Sequence, residues 1–241
     1  MTEILRNKEN LGFTAANNAA AARCETEFLA LLNPDAVPEP DWLEKLVAAA
    51  KRHPRAASFA SRQMLDAGRG LVDGLGDVYH PIGICWRRRH GKVLRPSDLL
   101  ETETTSACAA AALYRLEAFG EVGGFDEKFF CYVEDVDLGQ RLRRAVHTAV
   151  FVPDAVVEHT SKKQPQRFRR LLRPPEYHVV FFQNTPPALL PLLLMPHLLQ
   201  SLAALVVCLL RGQARAFVKA KSDAIHRLNL KVSKRHLPIP L

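Results

Sequence analysis

The sequence predicts an α/β fold with a helical tail. Three observations lead there. Short apolar runs of strand length, at 28–32, 56–60, 106–115 and 148–152, alternate with helix-like segments over residues 1–160. The stretch from Gly123 to Leu138 runs from a two-glycine bend through aromatics into three carboxylates, Glu134, Asp135 and Asp137, and then a helical pattern. After residue 160 the chain turns basic and apolar. A hydrophobic content of 48% over 241 residues suffices for one large core and an appendage.

The net charge of +8 conceals an asymmetry. Residues 161–241 hold 14 Lys/Arg and 2 Asp/Glu, whereas residues 1–160 hold 19 and 23. A mildly acidic body therefore carries a tail suited to an anionic partner. The five cysteines include no C-x-x-C pair, which argues against a zinc ribbon or a disulfide framework and suits a reducing compartment. The first ten residues contain no apolar signal core.

Taken in order, Glu3–Arg6 is a candidate short strand. Asn10 and Gly12 supply a loop before the alanine-rich helix at 15–22. Phe28–Leu32 reads as a buried strand ended by Asn33-Pro34, so that Asp35 projects at its C-terminal end, where open α/β sheets place ligand sites. Such an Asp is a turn former or an oxygen ligand to Mg2+ or Mn2+. A helix follows, with Trp42, Leu43, Leu46, Val47 and Ala50 as its apolar stripe and Pro54 beyond its end. Residues 66–105, rich in glycine and charge, read as a long loop or β-excursion, and Arg87-Arg88-Arg89-His90 as a solvated charge cluster. Ser106–Arg115 opens with seven small residues and predicts a buried strand approached closely by backbone or ligand. A short helix at 116–120 precedes the organising stretch, whose carboxylates suit the positive end of a helix dipole and a general-base role. Thr148–Val152 predicts a strand, extended as far as His159.

The tail begins with six bases and no acid between 161 and 173. Residues 188–210 then lack any charged side chain and are long enough to span a bilayer. Pro191, Pro196, His197 and Gln200, with basic flanks on both sides, favour an in-plane or re-entrant helix on an anionic leaflet over a simple span. A basic amphipathic helix is expected from Ala216 to Leu228. The tail has no interleaved stacking aromatics, so nucleic acid is not its expected partner.

Six motifs in series resemble family 2 glycosyltransferases, especially the rhamnosyltransferase-like group of cell-surface polysaccharide synthesis. They are Asn10-x-Gly12-Phe13 with Asn18; Leu32-Asn33-Pro34-Asp35; Pro40-Asp41-Trp42-Leu43; Gly123-Gly124-Phe125-Asp126-Glu127-x-Phe129-Phe130; Tyr132-x-Glu134-Asp135-x-Asp137-Leu138-x-x-Arg141-Leu142; and Val152-Pro153-Asp154-Ala155-Val156-Val157-x-His159. The resemblance implies a GT-A fold, a Rossmann-like mixed sheet flanked by helices, over residues 1–160; charge and apolar content make 161–241 the expected membrane-associating tail. It implies a nucleotide-sugar donor, a glycan or lipid-linked acceptor, a divalent metal (Mg2+ or Mn2+) and the cytoplasmic face of the membrane. By residue, it implies Asp135 as the base, Glu134 as its orienting or acceptor-binding neighbour, Asp35 and His159 as metal ligands, Asn10, Gly12, Asn18 and Asp35 on the donor side, and Phe125 and Asp126 in the acceptor wall. The likeness starts at Asn10, so the family's preceding nucleotide-gripping segment is expected to be missing. The alternative is a non-catalytic remnant that binds a membrane or a partner.

Overall fold

The computed structural model describes residues 4–129, 133–159 and 176–212, with 215, 218 and 222 singly. Cys131 and its two neighbours, the basic run at 161–173 and nearly all of the helix expected from Ala216 lie outside the described residues. The chain divides into two compact units, residues 1–79 with 85–162, and residues 80–84 with 163–241.

The first unit is built on a mixed sheet. Its strands are β1 (Phe28–Leu32), β2 (Ala36–Pro38), β3 (Ala56–Asp66), β4 (Leu71–Gly74), β7 (Thr102–Thr104), β8 (Ala111–Arg115) and β9 (Thr148–His159). The order is β1-β8-β3-β9-β2, with β4 on β3 and β7 on β9. Among the described residues, β3 and β9 run parallel and the other pairs of this sheet are antiparallel. A small hairpin of β5 (Asp77–His80) and β6 (Ile84–Arg87) stands apart from the sheet. The 66–105 excursion thus carries four short strands, β4 to β7, joined by turns.

Helix α1 (Gly12–Ala21) starts where the Asn10 side chain accepts from the Gly12 N–H at 2.9 Å. Helix α2 (Trp42–Arg52) buries Trp42, Leu46, Ala49 and Ala50. Leu43, expected in that stripe, is instead 46% exposed. On this face Leu46 and Phe59 are fully buried, each contributing about 1.5–3 kcal/mol. The other face holds α3 (Leu116–Glu121) and α4 (Glu134–Arg144), and its core includes Leu138, Leu142, Tyr114 and Phe151.

Three expectations need correcting. Phe28–Leu32 is an edge strand with alternating burial, and Leu32 is 42% exposed, because among the described residues β8 alone pairs with it. The strand expected over Ser106–Arg115 begins at Ala111, and residues 107–110 form a turn-like lead-in. No strand forms at residues 4–6.

The second unit contains α5 (Glu176–Asn184) and α6 (Leu190–Leu210). Helix α6 is long and apolar enough to cross a membrane, and only 11% of its apolar window is buried. The polar residue in its middle is satisfied internally. His197 donates from Nδ1 to the Ile82 carbonyl at 2.8 Å, meets His178 Nδ1 through Nε2 at 2.7 Å, and stacks on Phe181 at 3.9 Å.

Candidate active site

Strand register brings the distant acids together. Ala36 on β2 pairs with His159 on β9, so Asp35, one residue earlier, comes beside the imidazole. His159 Nε2 lies 3.3 Å from Asp35 Oδ1. Its other nitrogen, Nδ1, lies 2.9 Å from Asp73 Oδ2. Asp73 gets there because β4 pairs with β3, and β3 runs alongside β9 as far as Glu158. Asp73 is 2% exposed, whereas the Asp35 side chain is 51% exposed. His159 thus joins a buried carboxylate to an open one.

Burial alone would raise the Asp73 carboxyl. The Arg87 guanidinium, with His159 and His90, outweighs burial and holds it well below the usual carboxylate range. The hydrogen bond to Asp73 raises His159 against the opposing effect of burial. An ionised Asp73 only accepts, so the Nδ1 proton is fixed on its side of the ring. Nε2 and Asp35 Oδ1 then face each other as two acceptors. That arrangement calls for positive charge between them, either a proton on Nε2 or a cation. An oxygen and an imidazole nitrogen, the latter held from behind by a carboxylate, are suitable donors for Mn2+ or Mg2+.

Glu134, Asp135 and Asp137 lie in the first turn of α4. Asp135 is half-buried; its Oδ2 accepts from the Ala109 N–H at 3.2 Å and its Oδ1 from the Val136 N–H at 2.8 Å. Glu134 is 6% exposed. Val133, just ahead, holds φ +69°, a left-handed conformation that costs a β-branched residue about 1–3 kcal/mol. Ligand atoms of Asp135, Asp77 and Cys108 lie within 4.8 Å of one another. Burial, and then the Asp135 charge, pushes the Asp77 carboxyl up to about 8. Burial pushes the Cys108 thiol up as well, so it stays protonated and is a poor ligand for hard cations.

Arg87, at the end of β6, lies between the two groups. Nη1 donates to Asp73 Oδ2 at 2.6 Å, Nη2 to Cys108 Sγ at 2.7 Å, and Nε is 3.7 Å from Asp77 Oδ1. A continuous line of polar contacts therefore runs from Asp35 through His159, Asp73 and Arg87 to the pair beside Asp135.

The remaining expected residues build the adjoining turn. Asn18 Oδ1 accepts from the Phe125 N–H and its Nδ2 donates to the Phe125 carbonyl, both at 2.9 Å. Gly124 holds φ +65°, and a Cβ there would lie 2.7 Å from Asn18 Oδ1. Arg141 donates to the Val122 and Gly124 carbonyls at 2.7 and 2.6 Å while paired with Asp137 at 2.8 Å. Phe125 is buried among Phe13, Tyr114 and Phe119, so its ring does not form an exposed surface. Asp126 is buried too, and its Oδ1 accepts from the Lys128 N–H at 3.1 Å. Asn10 and Gly12 serve the start of α1.

The arginine triplet is not a solvated cluster. Arg88 donates to Leu75 O and Thr102 Oγ1 and lies over the Phe151 ring, and Arg89 pairs with Asp98 at 2.9 Å. Sequence reasoning missed Asp73, Asp77, Arg87 and Cys108 as a group. The available signal was a pair of acids four apart beside glycines, Asp73-Gly74 and Gly76-Asp77, in a stretch otherwise read as a variable loop.

A mixed sheet with helices on its faces is the architecture of a GT-A-type α/β protein. Residues 2–123 match Glycosyl transferase family 2, and the chain belongs to that family. It is 32% identical over 180 residues to the N-acetylglucosaminyl-diphospho-decaprenol L-rhamnosyltransferase of Mycobacterium tuberculosis, with 65% of this chain and 58% of that protein covered. It is 36% identical over 140 residues to the O-antigen biosynthesis protein RfbC of Myxococcus xanthus, with 54% of this chain and 10% of that protein covered. The chain thus spans little more than half of the first relative and a small part of the second. Its fold is similar to that of the mannosyltransferase PcManGT of Pyrobaculum calidifontis, solved with GDP-Man and Mn2+, at a TM-score of 0.51 and 16% identity over 92% of this chain and 62% of that one.

Proposed function

We propose that the protein is an inverting, metal-dependent glycosyltransferase that moves a sugar from a nucleotide-sugar donor to a lipid-linked or cell-surface polysaccharide acceptor. The observation that carries this reading is the facing pair of Asp35 Oδ1 and His159 Nε2, 3.3 Å apart and tied through Asp73 and Arg87 toward Asp135. Family membership supports the transfer chemistry. The lipid-linked substrate in the first relative's name and the O-antigen role in the second's support the acceptor class.

In this reading Asp35 and His159 hold Mn2+ or Mg2+. When bound, such a cation supplies neutralisation of the charge that grows on a departing nucleoside diphosphate. Asp135 takes the proton of the acceptor hydroxyl as that oxygen attacks the anomeric carbon. The bond to the diphosphate breaks as the new glycosidic bond forms, so the anomeric configuration inverts and no sugar–enzyme intermediate is needed. Glu134 orients the base or the acceptor. The turn held by Asn18, Phe125 and Asp126 shapes the acceptor wall, and Asn10 and Gly12 border the donor side through the start of α1. Residues 1–160 form the catalytic domain, and the tail from 161 attaches it to the cytoplasmic face of the membrane. The exposed apolar surface of α6 and the excess of bases in 161–241 support that attachment.

One experiment tests both halves. The full chain is mixed with anionic phospholipid vesicles, floated, and the floated fraction assayed with nucleotide-sugars, a polyprenyl-diphosphate glycan and Mn2+. The expected result is flotation, chelator-sensitive release of nucleoside diphosphate, and an inverted product anomer by NMR. Release that persists undiminished in chelator contradicts the metal role, a retained anomer contradicts the single displacement, and protein left at the bottom contradicts the tail's role.

A further inference from the structure

We propose that Arg87 is a positioning residue for this site: a fixed internal cation that locks the metal-side carboxylate–imidazole pair to the base-side cluster. The proposal rests on the glycosyltransferase reading only for what the site does. The arrangement of Arg87 is independent of that reading.

Three features carry it. First, the guanidinium fork is divided between the two sides. Nη1 bonds Asp73 at 2.6 Å, and Asp73 in turn holds His159 Nδ1 at 2.9 Å. Nη2 reaches Cys108 Sγ at 2.7 Å and Nε faces Asp77 at 3.7 Å, in the group of atoms that clusters with the Asp135 carboxylate. A planar fork with several donors can serve both directions at once, whereas a lysine ammonium acts as a point charge. Second, the fold reserves the path for this side chain. A Cβ added at Gly74 would lie on the Arg87 stem, 2.5 Å from Cγ. Third, the buried carboxylate needs the charge. Asp73 is 2% exposed and bonded to Arg87 at 2.6 Å, and a buried ionised acid requires a cation close by. The Asp77–Cys108–Asp135 group has the compactness of a metal centre, and Arg87 supplies positive charge there. A divalent ion is then left to the Asp35–His159 pair, whose imidazole Arg87 orients through Asp73. Carboxylate–histidine partners of this kind typically set metal affinity by 10- to 100-fold.

The test compares Arg87→Gln and Arg87→Lys with wild type in the full chain. Mn2+ affinity is read by EPR without donor, alongside thermal melts and, where the wild type turns over, kcat and acceptor KM. Folded Arg87→Gln should bind Mn2+ about tenfold more weakly. Arg87→Lys, which keeps the charge but not the fork, should recover thermal stability without recovering Mn2+ affinity. Turnover should fall in kcat with acceptor KM within about twofold, because the residue aligns the site and does not touch the acceptor. Mn2+ affinity within twofold of wild type in a folded Arg87→Gln overturns the proposal. If Arg87→Gln does not fold, the same result in Arg87→Lys overturns it. A wild type that binds Mn2+ but turns over no donor sinks the transferase reading and leaves the Mn2+ comparison for Arg87 intact.

Discussion

At the scale of single residues, the site consists of acids held in opposite states by their surroundings. Asp73 stays ionised because Arg87, His159 and His90 surround it. Asp77, a few residues on, is kept neutral by burial and by Asp135, with its carboxyl up at about 8. That difference has a consequence for stability. A carboxyl whose folded pKa exceeds its unfolded value stabilises fully in acid, and the contribution is lost as pH rises toward the folded value. Asp77→Asn keeps the neutral shape at every pH. The melting temperature of the variant should therefore gain on wild type between pH 5 and pH 9, by at least about 3 °C. A pH-independent difference between the two would mean that Asp77 is not buried in its neutral form. From sequence, a strand end drew attention to Asp35 and a helix start to the three carboxylates, and the family resemblance pointed to His159 and Asp135. Asp73, Asp77 and Arg87 were not legible, because their meeting depends on how β4 registers on β3 and how the β6 end folds back over β4. No local pattern encodes that register.

At the scale of elements, α4 carries Glu134 and Asp135, and its Arg141 holds the Gly123–Gly124 turn. Its seat against the segment before β8 is tight. A Cβ at Gly139 would sit 2.8 Å from the Thr105 carbonyl oxygen and 3.1 Å from Ser106 Cα. Two effects compete in Gly139→Ala. Alanine gains about 0.5–1 kcal/mol of helix propensity over glycine, and overpacking against backbone costs about 1–3 kcal/mol. The clash wins, so the melting temperature should drop by about 2–8 °C. A rise would mean that α4 lies farther from residues 105–106. Most elements were legible from sequence: α1, α2, the short helix, α4 and β9 follow from alanine content, apolar spacing, a dipole-suited charge pattern and a β-branched run. Two of the misjudged ones have clear physical reasons. An apolar run of five cannot reveal whether it has one neighbour or two, so edge strand β1 read as buried. The small residues at 107–110 read as strand, but their size instead accommodates the approach of α4, where Ala109 N–H meets Asp135.

At the scale of the whole molecule, the sequence divides by charge into an acidic body and a basic, apolar tail, and the chain divides into two compact units near the same point. The hairpin tip at 80–84 could not have been foreseen in the second unit, since it lies eighty residues from the tail in sequence. It joins through one buried imidazole, His197, bonded to Ile82. Catalysis in this account belongs to the first unit, and its central claim is that one carboxylate there, Asp135, removes the acceptor proton while Asp35 and His159 serve the departing diphosphate. The most direct measurement is the turnover of Asp135→Asn at saturating Mn2+ and donor, with Mn2+ affinity recorded on the same preparation. The account predicts turnover lower by about 100- to 10,000-fold with Mn2+ affinity unchanged; turnover at the wild-type rate would contradict it.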